Sequence, residues 1–207
     1  MKIYLLDINK DMTDAWKRYF KCYTNVEIIN DDFATFMNNH PEIDTVVSPA
    51  NSFGLMDGGY DLAITNYFGK QLMEDVQLEI IENWHGEQPV GTSISVPIKD
   101  ARGKNLFAKD KIGRKTLMIL IHTPTMRTPE VINDYRIIYQ CMRTTLIEAE
   151  EIDSRYVVIP AFGGSCGQVP YDEIARLMCL AYTQICFKPE EITWKYAMKV
   201  KRDLENK

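Results

Sequence analysis

Histidine is scarce in this sequence. His40, His85 and His122 stand far apart among 207 residues. None lies at metal-ligand spacing from a cysteine or carboxylate, which argues against a zinc site or any other metal centre. Cysteine is sparse and odd in number: Cys22, Cys141, Cys166, Cys179 and Cys186 show no pairing pattern. Such thiols read as free and as belonging to a reducing compartment. Long apolar runs are also missing. The longest, residues 117–121, is of strand length, against the ~20 residues that cross a bilayer. The apolar stretch at the N-terminus ends at Asp7, too early for a secretory leader. These absences point to a soluble cytoplasmic protein with no membrane partner. No internal repeat and no low-complexity tract stands out.

Hydrophobic residues make up 45% and charged residues 26% of the chain. That balance belongs to a globular α/β domain able to bury its own core. The net charge of −5 argues against a general nucleic-acid binder. One stretch departs from it. Residues 99–115 hold seven Lys or Arg and two Asp, a local +5 that leaves −10 for the remainder. This reads as a solvated loop or, more sharply, as a phosphate-facing flap.

Apolar periodicity predicts strands at 2–8, 26–29, 44–48, 93–97, 117–122 and 155–159. Helices are expected at 11–21, 62–84, 129–150, 170–187 and 189–204. The basic stretch reads as a hairpin or flap, and 117–122 as a central strand. Strands that are apolar throughout and alternate with helices form a central, mixed but largely parallel sheet of about six strands, covered on both faces. Ligands of such sheets bind beyond the carboxyl ends of the strands. The expected organisation is one domain over 1–187, with the basic segment inserted at about 86–115. A C-terminal helix in 188–207 packs on the same domain.

Three segments follow strands and carry chemistry. The first is VVSPANSFGLMDGGYDLAI, residues 46–64. A strand delivers Asn51 into a loop, Gly58 and Gly59 permit close backbone approach, and Asp61 falls in the first helical turn. The exposed N–H groups of a helix start favour an anion. Taken singly, Asn51 is as readily a turn cap and Asp61 a complement to the helix dipole. The second is VVIPAFGGSCGQVP, residues 157–170, with three glycines in five residues before a helix. Such a loop can form a nest for phosphate or a tight turn needing positive φ. Its G-x-S-x-G, Gly163 to Gly167, imitates a hydrolase elbow around Ser165, but no histidine follows position 122, so that order fails. Cys166 and His122 would be a nucleophile–base pair across the sheet, but a lone cysteine here reads better as a small side chain in a tight loop. The third is Asp31-Asp32-Phe33 after the second strand, a carboxylate for an exocyclic amine or a helix N-cap.

Together these segments resemble the macro domain family, giving the expected architecture as a three-layer α/β/α macro-domain-like fold. The 46–64 segment is similar to the family's first ligand loop, and PAFGGSCGQVP to its phosphate-cradling second loop. Asp32-Phe33 is similar to its adenine-contacting acidic pair. The run Pro124-Thr125-Met126-Arg127 resembles small bacterial and phage-type members. The resemblance implies ADP-ribose recognition. Asp32 would take the adenine amine, assisted by the Phe33 N–H. The N–H groups of Gly163, Gly164, Ser165, Cys166 and Gly167 would hold the pyrophosphate. Gly58 and Gly59 would admit the distal ribose, with Phe162 as its apolar wall. Asn51 matches the ribose-orienting asparagine. Asp61, ten residues on, matches the acid of hydrolytic members. The sequence departs from the pattern in its short glycine run after Asp57, in Thr65 where some members carry histidine, in Ser165 for a usual glycine, and in the 86–115 insertion.

The function so implied is hydrolysis of an ADP-ribosyl ester or phosphoester linkage, with Asn51 and Asp61 as the catalytic pair and no cofactor. The alternative is a non-catalytic module that binds ADP-ribose or a related nucleotide signal. A third reading, disfavoured by the net charge, is a nucleic-acid or poly-ADP-ribose binder acting through the basic stretch.

Overall fold

The computed structural model describes residues 1–205. Strands form where apolar residues run without interruption, as in Val-Val-Ile of β8 (Tyr156–Ile159) and Val-Val of β3 (Thr45–Ser48). With β1 (Lys2–Leu6), β2 (Val26–Ile29), β4 (Ile94–Pro97) and β7 (Ile119–His122) they make a six-stranded sheet in the order β2-β1-β8-β3-β7-β4. All its neighbours are parallel except β4, which runs antiparallel to β7 from Ile94↔His122 to Pro97↔Ile119. β4 is an edge, where Pro97 is tolerated because it need not donate to a further strand.

Strands buried on both faces need a layer on each. One is α1 (Lys10–Tyr19), α5 (Arg136–Glu151) and α6 (Tyr171–Cys186), which bury Trp16, Leu146 and Met178 with Ile3, Leu5, Val157 and Ile159. The other is α2 (Phe33–Asn39), α3 (Gly59–Phe68) and α4 (Gln71–Trp84), which bury Phe36, Ile64, Val76 and Ile80 against Leu6, Val46 and Leu120. The fold is therefore the expected three-layer α/β/α sandwich. α7 (Trp194–Glu205) lies outside both layers with no buried residue, held to α6 by Arg176, which donates to the carbonyls of Asp203 and Leu204.

Several expected boundaries move. The stretch 62–84 is two helices, because Gly69 at φ +98° ends α3 and turns the chain into α4. α5 begins at Arg136 and not at Pro129; residues before it run as a loop whose Ile132 N–H donates to the Gly167 carbonyl. Residues 117–122 are not one central strand. They divide at Met118 into β6 (Lys115–Leu117) and β7, and β7 lies next to the β4 edge.

The basic stretch is a hairpin of β5 (Phe107–Lys109) and β6, antiparallel from Phe107↔Leu117 to Lys109↔Lys115. β4 carries the chain away from the carboxyl ends of the parallel strands and β7 carries it back. The hairpin therefore sits at the opposite pole, where the Lys109 N–H donates to the carbonyl of Pro41, ahead of β3. A phosphate-facing flap over the strands' carboxyl ends is excluded by that placement.

Candidate nucleotide site at the carboxyl ends of the strands

The loops after β1, β2, β3 and β8 converge at one end of the sheet. Asn9 caps α1 and its Nδ2 donates to Tyr171 Oη, 3.0 Å away, tying the β1 loop to the start of α6. Asn30 Nδ2 donates to the carbonyls of Asp7 and Ile8, tying the β1 and β2 loops. Ser52 N–H donates to the Met126 and Arg127 carbonyls, tying the β3 loop to the segment after β7.

The loop after β8 is built around two glycines. Gly163 has φ +75°, and a Cβ there would stand 2.8 Å from Ile138 Cδ1. At Gly167 a Cβ would stand 2.6 Å from the Gly163 carbonyl oxygen, backbone that cannot yield. The turn closes through Gln168 N–H to the Ser165 carbonyl and Val169 N–H to the Gly163 carbonyl. Among the described residues, the N–H groups of Gly163, Gly164, Ser165, Cys166 and Gly167 donate to no protein acceptor. Ser165 and Cys166 are exposed.

Asp32 is the N-cap of α2. Its Oδ1 accepts from the Thr35 N–H at 2.9 Å and its Oδ2 from the Thr35 hydroxyl at 2.6 Å, which holds the carboxyl below its ordinary range. The carboxylate is exposed, and the Phe33 N–H beside it has no protein acceptor among the described residues. The Phe33 ring is buried against Tyr60, Tyr67 and Phe68.

Asn51 is spent on its own loop: Oδ1 accepts from the Phe53 and Leu55 N–H groups and Nδ2 donates to the Leu55 carbonyl. Gly58 and Gly59 open α3 without a side-chain cap, and nothing lies within 4 Å of a Cβ built on either. Gly59, at φ +54°, is in the left-handed region that favours glycine. Asp61, one turn in, is only 8% exposed and accepts from Ser48 Oγ at 2.7 Å. Burial, with a smaller push from Asp57, raises its carboxyl to about 7, while the Ser48 bond works against the rise.

One sequence expectation is corrected, and the disfavoured Cys166–His122 pair does not form. Phe162 has no exposed surface and packs in the α1/α5/α6 core, so it cannot wall a ribose. His122 is likewise fully buried. Its Nδ1 donates to Gln88 Oε1 at 2.7 Å, and burial lowers it to about 3, so it is neutral. It shares a sheet face with Leu120, in the α2/α3/α4 layer, and makes no pair with exposed Cys166. Sequence reasoning missed Ser48, the partner of Asp61, and Tyr60, whose hydroxyl is buried and unbonded with its pKa pushed up by burial and by Asp7 and Asp61. The alternation of Val46 and Ser48 along β3 was the available signal for Ser48. For Tyr60 there was none.

A family model described as Macro domain matches residues 47–178, more than half of the chain. The chain belongs to the macro domain family. An uncharacterized protein of Aquifex aeolicus (strain VF5) is 28% identical to this macro domain over 137 residues, 66% of this chain and 71% of its own length. Among solved structures, a variant of the Oceanobacillus iheyensis macrodomain with ADPR superposes with a TM-score of 0.54 at 17% identity. It covers 79% of this chain and 85% of its own. The macrodomain of Mycobacterium tuberculosis DarG gives 0.53 at 15% identity, covering 70% of this chain and 84% of its own. At these identities the structural likeness bears on the fold.

Proposed function

We propose that this macro domain binds ADP-ribose, or an ADP-ribosyl derivative, across the loops after β2, β3 and β8, and hydrolyses the ADP-ribosyl linkage. The observation that carries the binding is the row of unbonded peptide N–H groups from Gly163 to Gly167. A run of peptide N–H groups free of protein acceptors, open to solvent at Ser165 and Cys166 and leading to a helix, suits an anion such as a pyrophosphate. Asp32 and the Phe33 N–H offer an acceptor and a donor to an adenine edge. The open side of Gly58 and Gly59 admits the distal ribose. The O. iheyensis relative, a protein of the same fold, is seen with ADPR.

For hydrolysis the group at hand is Asp61. A carboxyl at about 7 exists near neutrality in comparable acid and base forms, the condition for proton transfer. Asn51, released from its loop, would orient the ribose. The leaving group is a carboxylate of an ester or the phosphate of a 1″-phosphate, and water supplies the hydroxyl. A second reading, binding without turnover, is favoured by one observation: Asn51 is closed on its own loop and Asp61 is nearly covered.

The test is calorimetric titration of the whole chain with ADP-ribose, followed by release assays on an ADP-ribosyl ester and on the 1″-phosphate. The expected result is micromolar binding, weakened in Asp32→Ala. Turnover should fall at least a hundredfold in Asp61→Asn with affinity held. Binding with no turnover selects the second reading, and no binding at millimolar ligand refutes both.

A further inference from the structure

The hairpin at the opposite pole repeats one turn twice. In Asp100-Ala-Arg-Gly-Lys104, Asp100 Oδ1 accepts from the N–H groups of Arg102 and Lys104, and the Gly103 N–H donates to the Asp100 carbonyl. In Asp110-Lys-Ile-Gly-Arg114 the same bonds recur from Ile112, Arg114 and Gly113. The ten-residue repeat is invisible in composition because only Asp, Gly and the closing cation are kept. The two turns flank β5, Phe107–Lys109, one on each side.

The outward face of this strand pair is charged in one sense. Lys109 stands directly opposite Lys115, and Phe107 opposite Leu117, with Ala108 buried beneath. Like charges at directly opposed positions destabilise a strand pair. Lys99 is paired with Asp75, and Arg114 with Asp110. The other cations, Arg102, Lys104, Lys109, Lys111 and Lys115, have no carboxylate within 4 Å among the described residues. Phe107, the first residue of β5, is 55% exposed and lies two residues from Lys109 on the same face.

We propose that this face docks single-stranded nucleic acid, independently of the nucleotide loops at the other pole. Phosphates would relieve the opposed Lys109 and Lys115, and the Phe107 ring would stack on a base. Cations tracking a backbone beside an aromatic platform are the features such strands require. A membrane surface fits less well, because the exposed Phe107 and Ile112 are separated, one at the start of β5 and one at a turn tip. The −10 carried by the remainder of the chain would keep general polyanion binding weak and confine it to this pole.

The experiment is fluorescence anisotropy of labelled oligo(dT) and oligo(U) with the whole chain, at several salt concentrations from low to physiological. Vesicles of phosphatidylcholine and phosphatidylserine form a second arm. Binding is expected to weaken with log salt at a slope of about −2 to −3.5, roughly −0.7 for each phosphate neutralised. Lys109→Ala with Lys115→Ala should lose tenfold or more and flatten the slope by about 1.4. Phe107→Ala should lose about fivefold at unchanged slope. ADP-ribose affinity should be the same in all variants, which separates this proposal from the nucleotide site. No binding at low salt, an unaffected double variant, competition by ADP-ribose, or retention on vesicles alone would each overturn it.

Discussion

Replacing Asp61 by asparagine tests the electrostatics of the site through its pH dependence. The native carboxyl sits at about 7 against 3.8 when free, so between those values the folded chain holds a proton that the unfolded chain has lost. Stability then falls by about 1.4 kcal/mol for each pH unit of rise, and levels once pH exceeds the folded value. Over pH 5 to 7 the loss is about 3 kcal/mol, an order of magnitude that matters against a total of roughly 5–15 kcal/mol. His122 acts in the opposite sense. It is neutral in the fold, at about 3 against 6.5, so the unfolded chain takes the proton and stability rises with pH across that window. In the wild type the two slopes cancel between about pH 4 and 6.5.

Asp61→Asn removes one slope and keeps the Ser48 hydrogen bond, since the amide oxygen still accepts. Urea unfolding at half-unit steps from pH 5 to 8 should show the variant gaining on the wild type by about 3 kcal/mol up to pH 7, then running parallel. His122→Gln should tilt the other way, its stability falling as pH rises to 7. Groups common to both chains, such as Asp7, drop out of the difference. Parallel curves for Asp61→Asn and the wild type at every pH would refute a neutral buried Asp61. The acid–base role proposed for it would fall as well.

The two glycine clusters should separate folding from ligand approach. Gly58→Ala, at φ −143° with open space around it, should leave stability unchanged and weaken ADP-ribose by tenfold or more in calorimetry. Gly167→Ala, driven against the Gly163 carbonyl, should cost about 2 kcal/mol in urea unfolding and abolish binding. Asp32→Asn should keep the α2 cap and its melting temperature while weakening ADP-ribose; Asp32→Ala should lower both, and wild-type affinity in both variants would remove Asp32 from adenine recognition. Iodoacetamide should alkylate exposed Cys22, Cys166 and Cys186, and ADP-ribose should slow Cys166 alone, as read by peptide mass spectrometry.

The layers and the three loops were legible because local chemistry decides them. Val157 and Val158 have no polar alternate, so their strand had to be covered on both faces. Gly163 and Gly167 sit between a strand and a helix in positions no other residue fills. What the sequence did not disclose depends on contacts between distant residues. Pro129 looks like a helix start, but Ile132 is held to Gly167 by a backbone bond and the helix waits until Arg136. Phe162 reads as a loop aromatic beside a ligand, yet the bend at Gly163 turns it into the core. The pole occupied by the basic stretch follows only from the antiparallel direction of β4, which no pattern within residues 99–115 encodes. Asp32 shows the two levels meeting. As an N-cap it is explained locally, and its exposure beside the Phe33 N–H is what gives it a further use.

The two poles of the sheet also differ in how their buried polar groups are served. At the amino end of β3, buried Asp44 accepts from the Thr45 and Ser154 hydroxyls and from the N–H groups of Arg155 and Tyr156. At the carboxyl end, Ser52 Oγ, Tyr60 Oη and His122 Nε2 are buried without a partner among the described residues, and Asp61 is held with one. Each such group costs about 1–3 kcal/mol relative to its bonded state. Trp16 Nε1, in the other layer, is a further unpartnered atom, and it lies far from this cluster in the chain. Packing alone would replace Ser52, Tyr60 and His122 by apolar residues of similar shape, as at Val46 and Val47 on β3 and Leu120 on β7. Their concentration around the first ligand loop marks that end as the one where stability is given up for chemistry. It follows that amide exchange should be faster in 49–61 than in 42–46, though the same strand joins them, and that ADP-ribose should slow the former and leave the latter unchanged.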